Sequence, residues 1–195
     1  MSHKIHHTEG FIISGSNYGE ANRYLSIFTR DFGLVRASAQ SVRKVSSKLR
    51  FSLQDNFYTR VDLVRGKEIW RVTNAKKFSN FDKIYGDSNI LKFLANIFRL
   101  TKRLCHGEEQ NEEFFDILTE TYQFLEAENL TEGDIKNFEC VTVLRILHSL
   151  GYIGEPSNVS AFVESVITRP ILQEAQMSRR ILIEEINRSL RESQL

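Results

Sequence analysis

Over the first 80 residues, apolar and polar positions alternate in short runs, the period-two pattern of strands buried on one face. Phe11, Ile12 and Ile13 form a brief β-rich run closed by Ser14, Gly15, Ser16 and Asn17, all turn formers. Residues 23–29 carry Leu25, Ile27 and Phe28 among polar neighbours, and the chain turns at Arg30, Asp31, Phe32 and Gly33. In residues 34–39, Val35, Ala37 and Ala39 share one face, with Arg36 and Ser38 on the other. Residues 57–64 set Phe57, Thr59, Val61 and Leu63 against Tyr58, Arg60, Asp62 and Val64, and Arg65, Gly66 and Lys67 close a hairpin into residues 68–75. Five short alternating strands predict a small closed barrel, because closure removes exposed edges. Between the third and fourth strands, residues 40–50 are basic and serine-rich, without apolar period, and read as a mobile loop.

Near Phe81 the period changes to that of helices. Asp87 or Ser88 can cap a helix running to about His106, with Leu91, Leu94, Ile97, Phe98, Thr101 and Leu104 on one face and Gly107 as its stop. Residues 111–128 form a second helix carrying Phe114, Phe115, Leu118, Tyr122 and Leu125. Thr131 and Asp134 have capping-box spacing for a third helix that ends at Gly151. That helix is apolar nearly all round, as befits the middle of a bundle. A linker at Gly154, Glu155 and Pro156 leads to a short helix over residues 158–167, and Pro170 precedes a last amphipathic helix bearing Met177, Ile181, Leu182, Ile186 and Leu190. The fold class is α+β: a five-stranded β-barrel over residues 1–80, then an all-α bundle over residues 81–195.

Composition adds little until charge is divided along the chain. The net charge is +1, yet residues 1–80 hold 14 Lys/Arg against 6 Asp/Glu, and residues 81–195 hold 12 against 19. A basic barrel beside an acidic helical part points to a polyanion as the barrel's partner. Cys105 and Cys140 stand alone, which fits a reducing compartment. With no secretory start and no membrane-length apolar run, the expectation is a soluble, cytoplasmic protein.

Catalytic constellations are thin. There is no phosphate-binding Gly-x4-Gly-Lys-Ser/Thr loop and no Gly-x-Gly-x-x-Gly. His3, His6 and His7 have no cysteine or carboxylate cluster nearby in sequence and read as ordinary exposed or edge-strand residues; His106 and His148 lack a partner histidine at helical spacing. Ser41-Val42-Arg43-Lys44 matches a serine acyl-enzyme pattern without its companion motifs. Glu109, Glu112, Glu113 and Asp116, with Glu108 before them, form a solvated helical stripe and not a metal cluster. A nuclease would need carboxylates beside the basic face, and Asp31, Asp55 and Asp62 are scattered. The expectation is a binding protein, not an enzyme, with no cofactor.

The chemistry that remains is cationic. Arg23, Arg36, Arg43, Lys44, Lys48, Arg50, Arg60, Arg65, Lys67 and Arg71 are interleaved with Tyr24, Phe28, Tyr58 and Trp70. Single-strand binders combine a cationic groove for phosphates with aromatic faces for bases. Phe28 and Phe57 are expected in the barrel core, whereas Tyr24, Tyr58 and Trp70 are open to either role. The candidate nucleic-acid-binding residues are Arg23, Arg36, Arg43, Lys44, Lys48, Arg50, Arg65 and Arg71, with Tyr24 and Trp70 as stacking candidates.

Thr8-Glu9-Gly10-Phe11-Ile12-Ile13, followed by Tyr18-Gly19-Glu20-Ala21-Asn22-Arg23-Tyr24-Leu25-Ser26-Ile27-Phe28-Thr29 and Gly33, resembles the start of the bacterial recombination mediator family RecO. Arg43-Lys44, Lys48-Leu49-Arg50 and Val64-Arg65-Gly66 extend the likeness. Phe138-Glu139 through Leu150-Gly151-Tyr152 resembles the family's central helix, and Ser178-Arg179-Arg180-Ile181-Leu182 its final one. The resemblance implies an OB-fold barrel plus a helical domain, binding of single- and double-stranded DNA, annealing of complementary strands, and help in loading RecA. RecR and the acidic C-terminal tail of single-stranded DNA-binding protein (SSB) are the partners it suggests. Many members carry a four-cysteine zinc site after the central helix. Residues 151–170 hold no cysteine, so this is expected to be a short form without zinc. The Lys-Gly that often precedes the basic loop is Gln40-Ser41 here. A rival expectation is an adaptor whose basic barrel grips acidic protein tails, in which case an acidic peptide and an oligonucleotide would compete for one site.

Overall fold

The computed structural model describes residues 4–154 and 159–192. Its strands are β1 (Ile5–Tyr18), β2 (Asn22–Thr29), β3 (Gly33–Ala39), β4 (Tyr58–Arg65) and β5 (Trp70–Lys77). They are hydrogen-bonded in the order β1-β2-β3-β5-β4, and β4 returns to β1 to close the barrel. All pairs are antiparallel except β3 with β5. This closed five-stranded order is an OB-fold. The inward positions of every strand build the core: Ile12, Leu25, Ile27, Val35, Ala37, Ala39, Val61, Leu63, Trp70 and Val72.

Three readings of the barrel need correction. First, β1 runs 14 residues, well past Ile13. Ser14, Gly15 and Ser16 continue it, paired with Ser26, Leu25 and Tyr24 beyond a bulge at Ile12/Ser14. Second, residues 40–56 are not a featureless loop. Val42 and Leu53 are buried in the barrel core, and Lys48–Phe51 forms a 3₁₀ turn. Ser41 and Asn56, both left-handed at φ 54° and 66°, mark its two ends. Third, Phe28 is buried on the outside of the barrel, its ring 4.9 Å from that of Phe114. It joins an aromatic layer in which Phe11 stacks on Tyr58 at 4.4 Å and lies 5.1 Å from Phe115. Tyr58 is therefore a packing residue, its hydroxyl donating to Glu9 Oε2 at 2.6 Å.

The helices are α1 (Asp82–Gly86), α2 (Ser88–Leu104), α3 (Glu112–Ala127), α4 (Glu132–Ser149), α5 (Ser160–Glu164), α6 (Arg169–Met177) and α7 (Arg179–Glu192). The chain divides into two compact units, Met1–Asn80 with Phe98–Phe115, and Phe81–Ile97 with Asp116–Leu195. Asp87 caps α2 by accepting from the backbone N–H groups of Asn89 and Ile90. Thr131 and Asp134 form the capping box of α4, and those hydrogen bonds hold the Asp134 carboxyl below its ordinary range. In the second unit α4 is the central element, in contact with α5, α6 and α7. Its Phe138 stacks on Phe93 at 5.3 Å.

The last predicted helix is two, broken at Ser178, and this break leaves Met177 exposed. The short helix spans only Ser160–Glu164. Its expected start at Asn158, and Glu155 and Pro156 of the linker, lie outside the described residues, as does His3. The segment after α4 is tied back by Arg145. Its buried guanidinium donates to the Phe162 carbonyl at 2.9 Å and to the Ser165 carbonyl, with Glu120 at 3.4 Å. Burial pushes this guanidinium's pKa down, against the pull of Glu120.

Candidate nucleic-acid interface

Strand register decides which side chains of the barrel share a surface. With Leu25, Ile27, Val35 and Ala37 pointing inward, Tyr24, Ser26, Arg36 and Ser38 must point out. Cross-strand pairing lines them up in two rows. One row runs Ser16, Tyr24, Ser38, Arg71; the other runs Ser14, Ser26, Arg36. The small hydroxyl residues keep this face open between its larger side chains. Tyr24 stacks on Tyr18 with ring centroids 4.3 Å apart, and the Arg36 guanidinium lies 5.2 Å over the Tyr24 ring. Lys102 of α2 reaches the same place, Nζ 3.4 Å from the Ser14 hydroxyl. Together they bound a groove of about 470 Å³ with no carboxylate in its lining.

Two further concavities flank it on the barrel. Arg65, Lys67 and Arg71 line one of about 380 Å³, which also contains Glu68. Arg23, Arg43 and Arg50 line the other, of about 560 Å³, together with Asn17, Gln54 and Asp55. Each of the three therefore carries two more cations than carboxylates. Lys44 and Lys48 are exposed on the loop that borders the last one. That loop is held to the β1–β2 turn by hydrogen bonds from Arg43 N–H to the Ala21 carbonyl and from Ser41 N–H to the side-chain Oδ1 of Asn22. The carboxylates of the barrel sit mostly elsewhere. Asp62 pairs with His7 at 2.7 Å and Glu9 with Arg60 at 3.5 Å, on the β1–β4 side.

Not every candidate side chain faces outward. Arg23 is 18% exposed, donating to the Leu53 carbonyl at 2.8 Å and to Asp55 Oδ1 at 2.9 Å. It anchors the end of the basic loop and neutralises the one carboxylate there. Trp70 is 2% exposed, its indole N–H donating to Glu108 Oε1 at 2.9 Å, with His6 and Phe32 against its ring. No base can stack on it in this conformation, because those side chains and the Arg65 guanidinium, 4.9 Å from the ring centroid, already cover it. Arg65 also pairs with Glu108.

Sequence patterns alone missed Lys102, Tyr18 and Phe51. Lys102 is far away in sequence, Tyr18 sits beyond the apparent end of the first strand, and Phe51 lies just past the basic run. The acidic stripe is exposed at Glu112, Glu113 and Asp116 as expected, but Glu108 is engaged with the barrel. Among the described residues no group of three or more His, Cys, Asp or Glu is placed to hold a metal ion. Burial, and then the charge of Glu109, push the Cys105 thiol up to about 11. It is therefore a poor nucleophile at neutral pH. No helix of the described residues is long and apolar enough to cross a membrane.

The Arg65–Glu108 pair is a local brake on cationic character. Glu108→Gln is expected to tighten polyanion binding by up to about fivefold at low salt, the size of an exposed ion pair. Oligonucleotide titration of both proteins measures this. Unchanged or weaker binding would show that Arg65 plays no part.

Comparison with known proteins gives the same direction. Residues 1–81 match the family model described as recombination protein O N terminal. The chain is similar to the DNA repair protein RecO of Heliobacterium modesticaldum, 29% identical over 154 residues, 79% of this chain and 54% of the relative. It is 32% identical over 148 residues to the DNA repair protein RecO of Dehalococcoides mccartyi, 76% of this chain and 57% of that one. The Roseiflexus protein of the same description is 28% identical over 152 residues, 78% and 52% of the two chains. The chain spans about half the length of the curated relatives it matches.

Proposed function

We propose, from its likeness to the RecO proteins, that the chain acts in DNA repair and recombination by binding DNA on the outer face of its barrel. Residues 1–80, joined by Lys102, are the binding domain in this proposal, and the rest of residues 81–195 serves protein partners. The observation that carries it is the run of three cation-rich concavities, the middle one lined by serine hydroxyls, by Tyr24 stacked on Tyr18, and by no acid.

Arg36, Arg43, Lys44, Lys48, Arg50, Arg71 and Lys102 supply the phosphate contacts, Tyr24 and Tyr18 the aromatic surface. Arg23 works indirectly, by holding the loop. When cations neutralise phosphates on two strands, repulsion between the strands falls and complementary pairing is faster. No covalent step is needed. Binding of both single and double strands follows from contacts that are mainly to phosphate. Annealing of SSB-coated strands and assistance to RecA loading, with RecR and the SSB tail as partners, extend the proposal to the level of the pathway.

A strand-annealing assay with bare and SSB-coated strands, run across a salt series, tests it. If about five phosphates of a single strand are engaged, log K should fall with log salt at a slope of about −3 to −4. A flat salt response, or annealing no faster than in the absence of protein, would overturn it.

A further inference from the structure

The segment between β3 and β4 treats its apolar side chains in two opposite ways. Val42 and Leu53 are buried in the barrel core at 2% and 1% exposure, and Leu49 packs partly against the same core. Phe51, in the same 3₁₀ turn as Leu49, is turned out and 61% exposed. The fold thus had an interior within reach and placed an aromatic ring in water. The Arg50 guanidinium lies 4.7 Å from the ring centroid, a cation–π arrangement that fixes the ring's orientation. Arg50 also lines the cavity shared by Arg23 and Arg43. One side chain therefore joins a cationic hollow to a solvent-facing π surface.

We propose that Phe51 is a base-stacking residue that makes the basic loop selective for unpaired strands. The proposal rests on the nucleic-acid reading above and specifies its ligand. A phosphate sits at Arg43 and Arg50 while the adjoining unpaired base lies against the open part of the Phe51 ring. A base inside a duplex already has both faces covered by its neighbours and gains nothing there. Stacking of this kind tolerates any sequence, because every base presents a π face. An apolar side chain among cations also suits an anionic membrane surface. Here the cations converge on an open hollow shared with Asn17, Gln54 and Asp55, whose hydrogen-bonding groups suit a phosphodiester better than acyl chains.

The test uses the full chain with a short oligothymidine carrying one 2-aminopurine, whose emission is quenched by stacking, and a blunt duplex of equal length. Phe51→Ala is expected to weaken single-strand binding by about tenfold and abolish the quench, with duplex affinity changed less than about twofold. Phe51→Tyr should retain both properties, and neither variant should shift the thermal midpoint, since the ring is exposed. Equal losses on single strand and duplex would overturn the proposal. So would a quench that survives in Phe51→Ala and disappears in Tyr18→Ala, which would move the base to the Tyr18–Tyr24 groove. Phe51-dependent binding to anionic vesicles with unchanged oligonucleotide affinity would assign the ring to a lipid surface instead. If Phe51→Ala leaves salt-dependent single-strand binding intact, only this inference fails; if wild-type protein shows no such binding, the broader reading fails with it.

Discussion

Gly33→Ala is expected to destabilise the barrel by about 3–4 kcal/mol, enough to lower the folded fraction visibly in a denaturant titration. Two independent causes add up at this position. Gly33 has φ +62°, in the left-handed region, where a β-carbon costs about 1–2 kcal/mol. A Cβ built there would also lie 2.0 Å from the Glu109 carbonyl oxygen and 2.6 Å from its carbon. Those are backbone atoms, so no rotamer change relieves the clash. The segment carrying Glu109 cannot retreat freely either, because Phe114 and Phe115 just beyond it are fully buried in the aromatic layer with Phe11 and Phe28. A loss below about 1 kcal/mol would mean that this segment yields easily and contributes little to the barrel's stability.

The second large effect concerns binding. Replacing Arg43, Lys44, Lys48 and Arg50 together with alanine is expected to weaken single-strand affinity by about 100-fold or more at low salt and to reduce the steepness of the salt dependence by roughly 3. Thermal stability should change by less than about 1 kcal/mol, since all four side chains are partly or wholly exposed. Their interactions with the fold are slight. Arg43 donates to the Gly19 and Glu20 carbonyls at 3.4 and 3.2 Å, and Arg50 lies over an exposed ring. Fluorescence anisotropy across a salt series separates the two properties. Intact affinity would transfer the binding role to Tyr24, Arg36, Arg71 and Lys102.

Much of the architecture could be read from periodicity, and the parts that could not share a physical reason. Strands β2 to β5 and the faces of α2 and α3 alternate apolar with polar residues at the period of their own backbone, while α4 declares its central place by being apolar nearly all round. In sequence, strand β1 stops at Ile13, because the outward residues that follow are serines, which share the chemistry of turns. They are small because that face has to stay open beneath Tyr24 and Arg36. The basic loop looked structureless since its two anchors, Val42 and Leu53, are too far apart in sequence to show a period. Only the closed barrel brings them together. Trp70 beside Arg71 resembled a stacking site, and the rings of His6 and Phe32 that bury it come from distant parts of the chain. Lys102 carries no such signal in the sequence, because it stands in the net-acidic helical half and only the fold brings it to the barrel. Charge asymmetry pointed to the barrel, whereas the allocation of individual cations to ligand, loop or ion pair is a property of tertiary structure.

The seating of Trp70 has a practical consequence for spectroscopy. The chain has a single tryptophan, so all of its intrinsic indole emission originates from one point, wedged among His6, Phe32, Arg65 and Glu108. Ligands that settle on the basic loop leave that surrounding untouched and should produce an optically silent titration. Those that pull Arg65 away from Glu108 should brighten or shift the signal. The protein thus carries an intrinsic gauge of which end of its barrel is occupied, and a flat emission trace must not be mistaken for an empty one.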